Sequence, residues 1–209
     1  MAKPRLLDLF CGAGGCSVGY ARAGFEVIGV DIEPQPHYPF EFHQADAMVF
    51  PLDGFDVIHA SPPCQAFTNQ GKISGKNHPN LIIPVRQRIR HLHYIIENVE
   101  GAPLLSPIRL CGSMFGLGVR RHRKFESSIP LVVDLSCHHK NQEIRAYYGA
   151  WGREAFRAKK PGNKDTLRGT VERAPLDMGI DWMVWKELCQ AIPPAYTEYL
   201  GKQLMERLK

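Results

Sequence analysis

Ser61-Pro62-Pro63-Cys64-Gln65 directly follows an apolar run, Phe55-Asp56-Val57-Ile58-His59-Ala60, that is typical of a buried strand. Two consecutive prolines fix φ and remove two backbone donors, so we expect the strand to end before them. Cys64 then lies at the carboxyl edge of a sheet, where open α/β sheets bind their ligands. A thiol there is a candidate nucleophile, although a free cysteine is often simply a buried structural residue. The polar segment that follows, Ala66 to Asn80, is typical of a loop that covers an active site.

The first thirty residues predict a strand, a glycine-rich turn, a helix and a second strand. Arg5 to Phe10 is the first apolar run, Cys11 to Gly15 the turn, Ser17 to Ala23 the helix, and Phe25 to Val30 the second strand, which ends at Asp31. Glycines let a ligand approach the backbone closely, and a carboxylate at a strand end can accept hydrogen bonds from a ribose.

Ser17 breaks the GxGxxG spacing of dinucleotide-binding folds. The turn therefore favours a nucleoside without phosphates, of which S-adenosylmethionine is the common example, over a pyrophosphate.

Two more acids follow predicted strands. Asp46 is either an adenine ligand or a solvated loop acid. Glu97 ends the strand His93-Tyr94-Ile95-Ile96 and is either a surface acid or a proton donor whose pKa is raised in an apolar pocket. Between them, Leu81 to Leu92 has helical spacing, and we expect Arg86, Arg88 and Arg90 to lie mostly on its solvent side.

The second half of the chain is more basic and less regular. Arg121 and Arg123 would share one face of an extended segment and could hold an anion or a pyrimidine carbonyl. Ser127 to Arg173 combines basic residues with Tyr147, Tyr148, Trp151 and Phe156, a composition that suits nucleic acid. Cys137-His138-His139 is contiguous, a poor arrangement for one tetrahedral ion, so we expect no metal site.

Composition indicates an ordinary globular protein. The chain has 209 residues, 44% hydrophobic and 22% charged, with a net charge of +5. No apolar run is long enough to span a bilayer and no signal-peptide pattern follows Met1. Six cysteines without repeated CxxC spacing suit a reducing cytoplasm. The positive charge is compatible with a polyanionic partner.

The order of these motifs resembles the DNA cytosine-5 methyltransferases. The matching stretches are Asp8-Leu9-Phe10-Cys11-Gly12-Ala13-Gly14-Gly15, Ser61-Pro62-Pro63-Cys64-Gln65-Ala66-Phe67, Glu97-Asn98-Val99, Arg121-His122-Arg123 and Ala191-Ile192-Pro193-Pro194-Ala195. The resemblance implies a Rossmann-like S-adenosylmethionine-dependent methyltransferase fold of the α/β class. It also implies that Cys64 attacks C6 of a flipped cytosine, that Glu97 contacts the ring, and that Arg123 holds O2 while Arg121 orients Glu97 or binds phosphate.

The same resemblance implies the cofactor contacts. These are Phe10, Gly12, Gly14, Asp31, Ile32, Asp46, Pro63, Gln190 and Ala191. It implies double-stranded DNA as the partner, and we expect a monomer.

The chain departs from the family pattern in its recognition region. Val119 stands where the family has Gln, Cys189-Gln190 replaces its Gly-Asn, and only Arg173 remains as a trace of the penultimate motif. We expect a catalytic domain at residues 1–126, a minimal recognition lobe at 127–173 and C-terminal helices at 174–209. This compactness is typical of a phage-type enzyme with a short target site. Two alternatives stay open: a tRNA cytosine-5 methyltransferase, and a catalytically silent nucleic-acid-binding subunit that needs a partner chain.

Overall fold

A computed structural model describes residues 2–68, 77–140, 144–147 and 166–208. Its centre is a seven-stranded sheet in the order β3-β2-β1-β4-β5-β7-β6. The strands are β1 (Arg5–Leu9), β2 (Glu26–Asp31), β3 (Glu41–Gln44), β4 (Val57–Ala60), β5 (Tyr94–Asn98), β6 (Ile108–Leu110) and β7 (Arg123–Ser127). Only β7 runs antiparallel to its neighbours, so this is a mixed sheet of the α/β class.

Five helices and a small second sheet complete the described chain. The helices are α1 (Gly15–Ala23), α2 (Ile82–Ile89), α3 (Ala174–Met178), α4 (Trp185–Leu188) and α5 (Pro194–Arg207). The second sheet pairs β8 (Ile144–Ala146) with β9 (Thr166–Arg168) in parallel. No helix in the described part of the chain is both long and apolar enough to cross a bilayer.

The central strands are buried, with apolar side chains on both faces of the sheet. One core cluster joins β1 and β5 to α1 and α5, and includes Tyr20, Tyr196 and Leu200. The second lies against α2, where Val85 and Ile89 repeat at helical spacing. Coverage of both faces explains why β1 and β4 are almost continuously apolar.

Helices α1 and α5 approach each other through glycine. A Cβ on Gly19 would overlap Thr197, and a Cβ on Gly201 would lie 2.7 Å from the Cβ of Ala23. The C-terminal helix therefore rests on the helix that follows the glycine-rich turn, and the two ends of the chain share one core.

The predicted α/β class, the first two strands and the helix between them are confirmed, and α1 ends at Gly24 with φ 113°. The prediction for the arginines of α2 is wrong at Arg86 and Arg88. Arg86 is an ion-pair partner of the buried Glu126, and Arg88 donates to the carbonyls of Ala47 and Phe50.

Two predicted features lie partly outside the described residues. Residues 69–76 of the loop expected over the site lie outside the described residues. At the start of that loop, Gln65–Phe67 forms a 3₁₀ turn. Of the aromatic residues expected in the recognition lobe, Tyr148, Trp151 and Phe156 fall outside the description.

Candidate active site

The turn between β1 and α1, Phe10 to Gly14, forms a cradle of backbone that is open at Gly12 and covered by Tyr38 and Pro39 at Gly14. Phe10 and Gly12 both have positive φ, 59° and 50°. The Gly12 N–H donates to Asp31 Oδ2 at 3.0 Å, and a Cβ on Gly12 would meet nothing within 4 Å. Because the space beside Gly12 is open, the turn can accept a ligand against its backbone.

Acidic and apolar groups border this cradle at the ends of β2 and β3. Asp31 is half-buried and its second oxygen accepts the Glu33 N–H at 3.0 Å. Ile32 is 65% exposed, and Asp46 is exposed with Oδ1 accepting the Met48 N–H at 2.8 Å. A carboxylate beside an exposed apolar side chain suits a ribose and an adenine ring, so these residues fit the nucleoside part of S-adenosylmethionine.

Asp8 lies beneath the cradle, and sequence analysis gave it no role of its own. It is fully buried, Ser17 Oγ donates to its Oδ2, and its Oδ1 has no hydrogen-bond partner. Tyr38 donates in turn to Ser17 at 2.8 Å. Burial raises the pKa of Asp8 to about 7, although the Ser17 hydrogen bond lowers it. The sequence signal that could have identified Asp8 is a lone acid within the apolar run of β1, because a buried carboxyl group needs a polar partner.

The proline turn carries Cys64 beyond the end of β4, as predicted. Asn98 at the end of β5 donates to the carbonyl of Pro62 at 2.8 Å and so fixes the turn to the neighbouring strand. Pro63 is exposed and Cys64 partly exposed. Burial raises the pKa of the Cys64 thiol; Arg123 opposes that shift and Glu97 adds to it.

Glu97 and Arg123 form an ion pair next to this turn. The distance from Arg123 Nε to Glu97 Oε1 is 3.1 Å, and the Glu97 side chain is 7% exposed. Burial raises the pKa of Glu97, while Arg123 and a hydrogen bond with Ser61 lower it. Of the two interpretations from the sequence, a surface acid or a buried acid with a raised pKa, the structure therefore favours the buried acid.

Buried polar side chains on the core side of this ion pair are linked by hydrogen bonds that reach Glu97 through Ser61. His59 on β4 contacts Tyr20 Oη through Nδ1 and Ser61 Oγ through Nε2, both at 2.9 Å. Burial lowers the pKa of His59 to about 3, so the imidazole is neutral. No local sequence pattern connects His59 to these partners, because they lie on α1 and in the proline turn.

Among the described residues Arg121 forms no ion pair with Glu97, although its charge, like that of Arg123, opposes the rise that burial causes in the pKa of Glu97. Its guanidinium donates to the carbonyls of Leu188, Cys189 and Ala191, and to that of Tyr147 at 2.6 Å. Burial lowers the pKa of Arg121 to about 10, with Arg123 contributing. Arg121 therefore ties the segment after α4 to the sheet, and Arg123 alone pairs with Glu97.

The segment that resembles the family's last motif, Ala191 to Ala195, lies against the start of α1. Ala191 is buried and Gln190 exposed. A Cβ on Gly15 would overlap the carbonyl oxygen of Ile192, and Thr197 donates to the carbonyl of Cys16 at 2.8 Å. Trp182 donates to the carbonyl of Ala13 at 2.8 Å.

The predicted residues therefore meet along one edge of the sheet. The cradle follows β1, Asp31 ends β2 and Asp46 lies just beyond β3, whereas Cys64 lies beyond β4 and Glu97 lies near the end of β5. The chain order reverses between β1 and β4, the point at which open α/β sheets form a binding crevice. This arrangement can hold a nucleoside-type ligand on one side and a thiol, an acid and a guanidinium on the other.

Comparisons with known proteins identify similar methyltransferases. Residues 4–103 match the family model described as C-5 cytosine-specific DNA methylase. The Type II methyltransferase M.HgiDI of Herpetosiphon aurantiacus is 31% identical over 130 residues, covering 54% of this chain and 42% of that protein. A tRNA (cytosine(38)-C(5))-methyltransferase of Spodoptera frugiperda is 29% identical over 118 residues, covering 46% of this chain and 36% of that protein. The chain thus spans less than half the length of either relative.

A solved structure has a similar fold. The S. pombe Dnmt2 methyltransferase superposes with a TM-score of 0.64 over 100% of both chains, at 14% sequence identity. At that identity the likeness concerns the fold alone.

Proposed function

We propose, from the premise that this chain belongs to the DNA cytosine-5 methyltransferase family, that it methylates C5 of cytosine in double-stranded DNA. The observation that carries the proposal is the meeting of Cys64, Glu97 and Arg123 beside the glycine-rich cradle. S-adenosylmethionine supplies a methyl group on a sulfonium, which a carbon nucleophile can attack. The protein's task is to make cytosine C5 nucleophilic.

Cys64 is the proposed nucleophile. Cytosine C5 is a poor nucleophile until a thiolate adds to C6, which converts the ring into an enamine. Burial raises the pKa of the Cys64 thiol, and the charge of Arg123 opposes that shift and so favours the reactive thiolate. After methyl transfer, a base, for which solvent can serve, takes the C5 proton, and the electrons of that C–H bond form the C5–C6 double bond as Cys64 leaves as thiolate.

Glu97 is the proposed ring contact. In the free protein Glu97 pairs with Arg123 as a carboxylate; because burial raises its pKa, it can take up a proton and donate it to N3 as the ring gains negative charge on thiolate addition. Arg123 holds the carboxyl group in place at 3.1 Å and still has further N–H groups to offer O2 of the base. Arg121, already bonded to four carbonyls, is a positioning residue.

The cofactor contacts follow from the cradle. The backbone of Phe10, Gly12 and Gly14 would surround the ligand, with Asp31 on the ribose and Ile32 and Asp46 at the adenine. Pro63, Gln190 and Ala191 would border the methionine end. A cytosine in a duplex must leave the stack to reach Cys64, and the segment 127–173 would contact the DNA.

The deciding experiment is a base-resolution map of 5-methylcytosine in DNA from a methylation-deficient bacterial host that expresses this chain. We expect methylation at a short recurring motif, absent from the Cys64→Ala control. The control protein should still bind S-adenosylmethionine, because Cys64 is not part of the cradle. Full methylation by Cys64→Ala would remove the proposed nucleophile.

A second candidate function is cytosine-5 methylation of tRNA, which the similarity to the Spodoptera frugiperda enzyme supports. Methyl incorporation into duplex DNA and into tRNA, measured side by side, separates the two substrates. Cofactor binding without incorporation into either would instead favour a subunit that needs a partner chain for recognition. In each case we expect the protein to act in the cytoplasm of a bacterial or phage-infected cell.

A further inference from the structure

Four potential metal ligands meet on the side of the sheet away from the cradle's strands. Cys111 follows β6, His122 precedes β7, and Cys137 and His139 belong to the extended segment after β7. Their ligand atoms all lie within 4.8 Å of one another. Three separate parts of the chain therefore bring two thiols and two imidazoles to one point.

The alternation of an extended backbone explains how the contiguous Cys137-His138-His139 contributes twice. Cys137 and His139 are both partly buried, whereas His138 between them is exposed. The earlier expectation of no metal rested on these three residues alone. The remaining two donors come from Cys111 and His122, which no local spacing connects to them.

We propose that Cys111, His122, Cys137 and His139 bind one structural zinc ion. Two thiolates and two imidazoles are a common donor set for structural zinc, which prefers tetrahedral geometry. Zinc bonds of about 2.3 Å to sulfur and about 2.0 Å to nitrogen place neighbouring ligand atoms roughly 3.3–3.8 Å apart. The distances from Cys111 Sγ to His139 Nε2 and from His122 Nε2 to Cys137 Sγ are 3.3 Å and 3.4 Å.

One pair of ligand atoms must move to accept the ion. Cys137 Sγ and His139 Nε2 are 2.7 Å apart, closer than a shared zinc ion allows. Both residues are partly exposed on a segment without regular secondary structure, so this adjustment needs no change in the sheet.

The surrounding groups are of the kind that orient metal ligands. His122 directs Nε2 toward the cluster and Nδ1 toward Glu100 Oε2, which is 3.6 Å away. A carboxylate on the far nitrogen of a ligating imidazole fixes its orientation and raises its basicity. Ser113 Oγ lies 3.3 Å from Cys111 Sγ and 3.5 Å from Cys137 Sγ, within reach to donate to a thiolate.

The proposed zinc site adjoins the two arginines of the candidate active site. His122 stands between Arg121 and Arg123, so a metal bond at His122 holds the backbone from which both arginines extend. Cys137 and His139 lie where the chain leaves the sheet toward β8. Zinc would thus anchor the segment after β7 to the sheet edge that carries Arg123.

The test measures zinc in the full chain, expressed without a polyhistidine tag in zinc-supplemented medium and gel-filtered in metal-depleted buffer with reductant. Elemental mass spectrometry should find about one zinc ion per chain. His139→Ala and Cys137→Ser should lose most of it. His138→Ala, a change at the exposed neighbour, should keep it.

A second readout does not depend on the variants folding. Zinc-depleted wild-type protein titrated with Co²⁺ should develop the visible absorption bands of tetrahedral cobalt with thiolate ligands. A folded wild-type chain that carries no zinc and shows no such bands would overturn the proposal. So would full zinc retention in His139→Ala, or a Cys111–Cys137 disulfide in place of the metal. None of these outcomes depends on the proposed methylation activity.

Discussion

Two charged groups near Cys64 have opposite effects on the pKa of its thiol. Burial raises its pKa, Glu97 raises it further and Arg123 lowers it. Replacing Glu97 by Gln removes a negative charge, so the thiolate should form more readily. We expect iodoacetamide to alkylate Cys64 several-fold faster at pH 8 in Glu97→Gln than in the wild type, measured on the Cys64 peptide by mass spectrometry.

Arg123→Met should change the same alkylation rate in the opposite direction, because it removes the charge that favours the thiolate. Cys11, whose thiol is buried with a strongly raised pKa, should stay unalkylated in all three proteins and so shows that the fold is intact. Equal Cys64 rates in all three proteins would mean that the two charges do not govern this thiol.

The raised pKa of Asp8, beneath the cradle, makes the stability of the fold depend on pH. Its pKa of about 7 in the folded protein exceeds the ordinary value of 3.8. Between these two values the folded protein keeps a proton that the unfolded chain releases, so raising the pH through this window destabilises the fold. Asp8→Asn should therefore gain stability relative to the wild type from pH 4 to pH 7, by a few kcal/mol at most.

Urea denaturation at pH 4.5, 6 and 7.5 measures this difference. The comparison between the two proteins isolates Asp8, because His59 contributes a slope of opposite sign to both. The pKa of His59 is lowered to about 3, so its stability contribution is lost as the pH falls below about 6.5. A difference between the proteins that does not vary with pH would contradict the role assigned to Asp8.

At the scale of elements, one buried ion pair joins α2 to β7. Arg86 donates twice to Glu126, at 2.6 Å and 2.7 Å, and Glu126 also accepts from Tyr94 and from the Leu105 N–H. Burial pushes the pKa of Glu126 up, but the Arg86 hydrogen bonds hold it below its ordinary value. Arg86→Met leaves a buried carboxylate without its cation and should destabilise the protein by about 3–5 kcal/mol.

The free energy of unfolding in urea checks this value. Arg90→Met changes an exposed arginine at the end of the same helix and should alter stability by less than about 0.5 kcal/mol. The double variant Arg86→Met, Glu126→Gln should recover most of the loss, since no charge is then left unpaired. If the single and double variants were equally unstable, packing of the Arg86 stem would explain the effect instead.

Local patterns in the sequence were sufficient to predict the elements that build the site. The apolar runs ending at Asp31, Ala60 and Glu97 predicted strands because burial on both faces leaves a continuous signal. The proline pair marked the end of β4, and Gly24 marked the end of α1. The cradle and the Cys64 turn then followed from the rule that parallel strands present their carboxyl ends at one edge.

Contacts between distant segments could not be predicted in this way. The pairing of Arg86 with Glu126, the carbonyl partners of Arg121, and the meeting of Cys111 with His139 depend on how elements pack. A charged residue on a helix has the same local pattern whether its partner is water or a buried acid. The sequence therefore predicted which residues lie at the sheet edge, but not which of two neighbouring arginines holds Glu97.

At the scale of the whole molecule, Arg121 and Arg123 should be separable although only His122 lies between them. Arg121 joins the segment after α4 to the sheet and to Tyr147, and that segment continues to Ile192 at the cradle. Arg121→Lys loses a planar set of donors and leaves buried carbonyls unpaired, at about 1–3 kcal/mol each. Because the segment that borders the cradle is then less well held, we expect lower stability and at least several-fold weaker cofactor binding.

Arg123→Lys should behave in the opposite way. It keeps a positive charge near Glu97 but loses the fork that can hold a carboxylate and a base together, so methylation should fall while cofactor affinity stays close to that of the wild type. Isothermal titration with S-adenosylhomocysteine and methyl incorporation into duplex DNA measure the two properties on the same preparations. Weakened cofactor binding in both variants would mean that the two arginines act as one unit, and that the sheet edge does not divide cofactor binding from base chemistry.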